Sequence, residues 1–177
     1  GGTIQDRVRR EGPLSEESAL RYTADVARGL DAAQQAGIIH RDIKPRNLFV
    51  TADDQVKIGD FGLARIVDAT TLTEAGEVFG TPHYMSPEIL DGKPSDWRAD
   101  QYALGITLFY MLTGRHPFES ENHEVLHRKY LTEPVPAVDS VRPGVSTKTA
   151  KLVSRMTAWN AADRFDSYAS LLDSVKS

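Results

Sequence analysis

The stretch HRDIKPRNLFV, residues 40–50, packs a base, an acid, a lysine and an amide into a few positions, and GDFGLAR, residues 59–65, adds a second acid before a glycine. Asp42, Asn47 and Asp60 offer two carboxylates and an amide oxygen, a donor set that suits a hard divalent cation. Magnesium takes few protein ligands and keeps positions for phosphate oxygens and water. Lys44 places a positive charge near the same phosphates, and one carboxylate is then free to orient an attacking hydroxyl. Together these groups read as a phosphoryl-transfer site. Singly they would not: Asp42 or Asp60 alone is turn or capping chemistry, Lys44 alone a solvated charge, Gly62 alone a turn residue, and His40 alone a structural histidine. The joint spacing reverses those readings.

Such groups need elements to hold them. LSEESALRYTADVARGLDAAQQAGIIH, ending at His40, has the pattern of a long amphipathic helix. Ser15 caps it, Glu16 and Glu17 suit its positive end, Leu20, Ala24, Ala27 and Leu30 recur at helical spacing with Val26 and Ala33 beside them, and Gly37 stops it. NLFV and QVKIG are short strands joined by TADD, a hairpin signal. Residues 60–88 show little periodicity and read as one long functional loop. ADQYALGITLFYMLTG is apolar on nearly all sides, as a buried central helix is, and Gly114 and Pro117 end it. SENHEVLHRKYL, STKTAKLVSRMTAW and DSYASLLDSVKS are three further helices, with Ser146 and Asp166 as caps of the last two. The RVRR run reads as a solvated helix face, and Trp97 and Trp159 as packing residues. The fold class is mainly α with a small β insertion that carries the polar strings.

Composition narrows the function classes. The chain has 177 residues, enough for one domain with a real core. Forty per cent hydrophobic and 26% charged residues exclude disorder. A net charge of −4 shows no overall basic field for nucleic acid. Cysteine is absent, which removes disulfides and thiolate metal sites. The most apolar run, YALGITLFYMLTG, is shorter than the roughly 20 residues of a membrane span.

HRDIKPRN and DFG resemble the catalytic loop and metal loop of protein kinases. The two strings fix seven letters, which chance supplies at roughly one in 10⁹ start positions. GTPHYMSPE, DQYALG, LTGRHPF and DRF follow in the family's order, so the resemblance covers essentially the whole chain. It is closest to eukaryotic-type serine/threonine kinases of the bacterial branch, and it implies a protein-kinase-like C-terminal lobe over residues 1–177, with the catalytic loop at 40–47 and the activation segment at 60–88.

The resemblance also implies roles. Asp42 matches the base that accepts the substrate hydroxyl proton, and Lys44 the lysine on the transferred phosphate, which favours Ser/Thr over Tyr. Thr81 matches the threonine that bridges them. Asn47 and Asp60 match the metal ligands, and Phe49 the residue beneath the adenine ring. His40, Phe61 and Asp100 match an internal spine and its anchor, with Gly62 completing the metal loop. Glu88 and Arg164 match a buried ion pair. Arg41, before the catalytic Asp, belongs with control by phosphorylation of the loop, for which Thr70, Thr71 and Thr73 are the candidates, Thr73 first. Glu77 stands where many relatives carry the phosphorylated threonine, and is expected to substitute partly for that phosphate. ATP and Mg²⁺, with Mn²⁺ as an alternative, are the implied cofactors, and protein substrates the implied partners.

No glycine-rich phosphate loop precedes the catalytic loop, and Lys57 lies after it, so the strand lysine of a kinase has no counterpart here. The expectation is a lower lobe that works with an N-terminal lobe absent from this chain and that has little activity alone. The alternative is a pseudokinase or scaffold with the same fold. Neither nucleic acid nor a membrane segment is expected in these residues; the resemblance implies a cytoplasmic location, as for most such bacterial relatives, some of them tethered to the membrane by a later segment.

Overall fold

The least polar stretch of the sequence organises the structure, a computed structural model that describes residues 2–60 and 82–176. Helix α4 (Arg98–Thr113) has no solvent face: every residue from Ala99 to Leu112 is buried. It ends where Gly114 takes a left-handed φ of 74°, a conformation that glycine adopts at no steric cost. Helix α2 (Glu16–Gln35) packs on α4 and on α8 (Tyr168–Lys176), and α7 (Thr147–Met156) packs on the other side of α4. The remaining helices are α1 (Ile4–Glu11), α3 (Pro87–Leu90), α5 (His123–Thr132) and α6 (Val138–Val141). A three-stranded antiparallel sheet, β1 (Gly2–Thr3), β2 (Leu48–Val50) and β3 (Val56–Ile58), lies beside α2 in the order β1-β2-β3. The architecture is therefore mainly helical with a small sheet, as the periodicity predicts.

The caps follow the sequence at α2 and α7. Ser15 Oγ accepts from the Ser18 amide and Ser146 Oγ from the Thr149 amide. The stop at Gly37 is real: its φ is 72°, and its amide and that of Ile38 return to carbonyls of the last helical turn. Leu20 lies at the edge of the α2 stripe and is only partly buried.

Four expectations change. Helix α8 starts at Tyr168, and Ser167 rather than Asp166 caps it, because the Ser170 amide reaches Ser167 Oγ at 3.1 Å while Asp166 Oδ1 takes the Ser170 hydroxyl at 2.6 Å. The end of the expected 60–88 loop is ordered into a 3-10 turn, Pro82–Tyr84, and helix α3. Trp159 does not pack inside; it is 45% exposed. Trp97 does pack, its ring 5.1 Å from that of Tyr168. The RVRR run is not wholly solvated, since Val8 is buried and Arg7 turns inward to Tyr22 and Asp54. There the Asp54 carboxylate also takes the Tyr22 hydroxyl and Arg21. The Tyr22 hydroxyl, Arg7 and Arg21 hold the Asp54 carboxyl well below the usual carboxylate range. This cluster ties α1 and α2 to the β2–β3 turn.

A second long-range tie joins α2 to α7. The Glu16 carboxylate accepts from the Ser146 amide at 3.0 Å and from the hydroxyls of Ser146 and Thr149 at 2.5 Å each. Partial burial opposes ionisation of Glu16, but these three donors outweigh it and keep its carboxyl below the usual range. Glu16→Ala is expected to lower stability by about 1.5–3 kcal/mol, the usual worth of bonds to a charged acceptor. An unchanged urea midpoint would refute that assignment.

Candidate active site

Residues 40 and 41, at the start of the predicted catalytic loop, are held from below by α4. Asp100, in its first turn, is 3% exposed and accepts the amides of His40 at 2.8 Å and Arg41 at 2.7 Å. Burial pushes the Asp100 carboxyl up, and the two amides pull it back. Their grip matters because Arg41 has φ 64°, a left-handed conformation uncommon for a residue with a long side chain. His40 is fully buried. Its Nε2 meets the Gly59 carbonyl at 2.9 Å and its Nδ1 meets the Asp42 amide at 3.2 Å, so the tautomer that satisfies both carries its hydrogen on Nε2. His40 thereby joins the segment at Asp42 to the end of β3.

Asp42 is the centre of the polar knot. Its Oδ1 accepts from Lys44 Nζ at 2.8 Å and its Oδ2 from Asn47 Nδ2 at 2.8 Å. Asn47 Nδ2 donates again to the Asp42 carbonyl at 2.9 Å. With the amide nitrogen so engaged, Oδ1 is the Asn47 atom left for an external partner. Asn47 itself is 5% exposed and sits at the end of a 3-10 turn, Pro45–Asn47, which Pro45 pre-forms.

Asp60 reaches this knot through the backbone. Strands β2 and β3 pair Leu48 with Ile58, and the Gly59 amide extends the ladder to the Asn47 carbonyl at 2.8 Å. The next residue, Asp60, is exposed and has φ 57°. Glycine at 59 leaves room for the Phe49 ring, since an added Cβ would lie 2.4 Å from it and push that exposed ring aside. The motif reading does not single out Gly59; a glycine directly before the second acid was the signal available. Phe49 is 45% exposed beside this corner, an apolar ring facing solvent on a floor of polar groups.

Glu88 and Arg164 form the expected ion pair. Two 2.8 Å bonds run from the guanidinium to the carboxylate in fork geometry. Thus the structure brings Asp42, Lys44, Asn47 and Asp60 to one corner, with Phe49 at its rim, His40, Arg41 and Asp100 beneath, and Glu88–Arg164 as a separate lock. Phe61, Gly62, Thr70, Thr71, Thr73, Glu77 and Thr81 lie outside the described residues.

Comparison with known proteins meets this geometry. The sequence matches the protein kinase domain family over residues 1–174. The chain belongs to the protein kinase family. This kinase domain is 32% identical over 175 residues to a probable serine/threonine-protein kinase PknB of Lactococcus lactis, covering 99% of the chain and 28% of that protein. It is 36% identical over 165 residues to serine/threonine-protein kinase PknL of Mycobacterium tuberculosis, covering 93% and 41%. It is 41% identical over 174 residues to serine/threonine-protein kinase pkn3 of Myxococcus xanthus, covering 93% and 32%. The kinase chain thus spans roughly a quarter to two fifths of these relatives. Among the described residues, no helix is long and apolar enough to cross a membrane.

Proposed function

We propose that this chain is the lower lobe of a serine/threonine protein kinase and that the longer protein transfers the terminal phosphate of ATP to Ser or Thr hydroxyls of proteins. The observation that carries this reading is the shared knot at Asp42, with Lys44 on one carboxylate oxygen and Asn47 on the other. Asp42 takes the acceptor proton and aims the hydroxyl oxygen at the phosphorus. Lys44, already paired with Asp42, balances the charge of the incoming phosphate. Asn47 Oδ1 and Asp60 are hard oxygen donors at one corner and would hold magnesium. Bound there, it would neutralise phosphate charge. Phe49 offers an apolar surface for the adenine. An upper lobe supplied by the longer protein would close the site over Phe49 and exclude water.

The test is transfer of labelled γ-phosphate by the full-length protein to a general protein acceptor, followed by phosphoamino-acid analysis. Label on serine and threonine, lost on chelation of the divalent metal, is expected. No transfer, or transfer confined to tyrosine, would overturn the reading.

A further inference from the structure

The molecule is acidic overall, at net charge −4, yet one rim of the candidate active site is basic. Arg46 lies within the 3-10 turn between Lys44 and Asn47 and is exposed. Helix α1 packs against that turn, where Arg46 Nε meets Gln5 Oε1 at 3.4 Å, and α1 also carries the exposed Arg9. The rim continues into the segment that begins at Pro82. The Tyr84 hydroxyl bonds His116 Nε2 at 2.9 Å, and the Tyr110 ring lies 5.3 Å from His116. Burial raises the Tyr84 and Tyr110 phenols, with the charge of Arg46 opposing at the first and that of Arg9 at the second. Arg115, also exposed, directly precedes His116.

Arg9, Arg46 and Arg115 make no ion pair among the described residues. The acids of α1 form no direct pair with them: Asp6, which feels the charge of Arg9, is engaged in capping Thr3, and Glu11 pairs with Arg7 and Arg10. Three cations left without an ion pair among the described residues are a surface complementary to carboxylates. The planar arginine fork suits them in particular, and in a net-acidic molecule a local cluster of cations attracts acidic segments to this face.

We propose that this rim selects protein substrates by acidic side chains, Asp or Glu, flanking the acceptor hydroxyl, with Arg9, Arg46 and Arg115 as the specificity-determining residues. The inference rests on the kinase reading given above.

It is tested with the full-length protein and two peptides that differ only in carrying glutamates or glutamines around one threonine. The kcat/KM ratio should favour the glutamate peptide, and salt well above physiological strength should shrink the preference, since screening reaches within about 8 Å at 0.15 M. Arg9→Gln, Arg46→Gln and Arg115→Gln should each reduce the ratio by about two- to fivefold, the range of a single exposed ion pair. Arg46→Glu should shift preference toward a lysine-flanked peptide. Equal kcat/KM for the two peptides, or a ratio indifferent to all three arginines, would overturn the proposal. Anisotropy of a labelled glutamate peptide with alanine in place of the threonine separates the two readings. Arginine-dependent binding without transfer would support the rim and sink the kinase reading. Transfer without acidic preference would sink the rim alone, and neither binding nor transfer would sink both.

Discussion

Asp42→Asn in the full-length protein should lower phosphate transfer by about 10²–10⁴-fold, the range of a positioned general base. Two features of the site set this expectation. The Asp42 carboxylate is already oriented by Lys44 and Asn47, so its placement is given before any substrate arrives. An asparagine keeps the size but cannot take a proton, and its amide nitrogen would face a donor, Lys44 or Asn47, at one of the two positions. The effect should be chemical rather than structural, because Asp42 is only half-buried and the loop is anchored from beneath by Asp100. Initial rates of autophosphorylation, read beside a thermal melt, check this. A variant that retains a tenth or more of wild-type transfer would remove Asp42 from the role of base.

Glu88→Ala should be the most destabilising of the changes considered, by about 3–5 kcal/mol, as for other buried pairs that lose one partner. The Arg164 side chain has no solvent exposure, while that of Glu88 has 14%. The guanidinium also donates to the carbonyls of Arg98 and Ala158 at 2.9 Å each and sits 5.0 Å over the Tyr102 ring. Those contacts hold it in place, so loss of Glu88 strands a buried cation. Whole-domain stability is about 5–15 kcal/mol, so a large share would be lost. Urea unfolding measures it, and a loss under about 1 kcal/mol would show the pair to be of the weak surface kind.

The same pair predicts a pH dependence. Burial alone would raise the Glu88 carboxyl, but the Arg164 bonds outweigh burial and hold it below the usual range. A carboxyl depressed in the folded state contributes stability that is complete above its unfolded pKa, about 4.3, and is lost as pH falls through the lower folded value. Stability should therefore fall on acidification below that point, and less steeply in Glu88→Gln.

Much of the candidate site is legible in eight consecutive residues and one further acid. Asp42, Lys44 and Asn47 meet because a short loop and a 3-10 turn leave them little choice of geometry, and Asp60 joins them because a tight hairpin returns the chain to Asn47. Ser15, Gly37, Ser146 and Gly114 are legible in the same way, as helix-end signals that act within one turn.

Strand β1, and the start and buried side of helix α1, were not legible. Thr3 and Asp6 form a capping box, but the glycine pair before them and the three arginines that follow show no clear period. Arg7 looks like its neighbours Arg9 and Arg10 in the sequence, and only the approach of Tyr22 and Asp54 turns it inward. The same holds for the rim around Arg46, whose members come from α1, the catalytic loop, the Pro82 turn and the end of α4.

By itself, then, the sequence determined the identity and spacing of the candidate site groups, the central apolar helix and the helix ends, since each depends on residues within a few positions of one another. The tertiary structure alone decided which charges are paired and which are left open. Arg164 reaches Glu88 across 76 positions and Ser146 reaches Glu16 across 130, while Arg9, Arg46 and Arg115 form no ion pair among the described residues. Such pairings leave no local trace, because they are set by how helices pack, and helix packing is driven by apolar faces that do not specify the partners of the polar side chains at their edges.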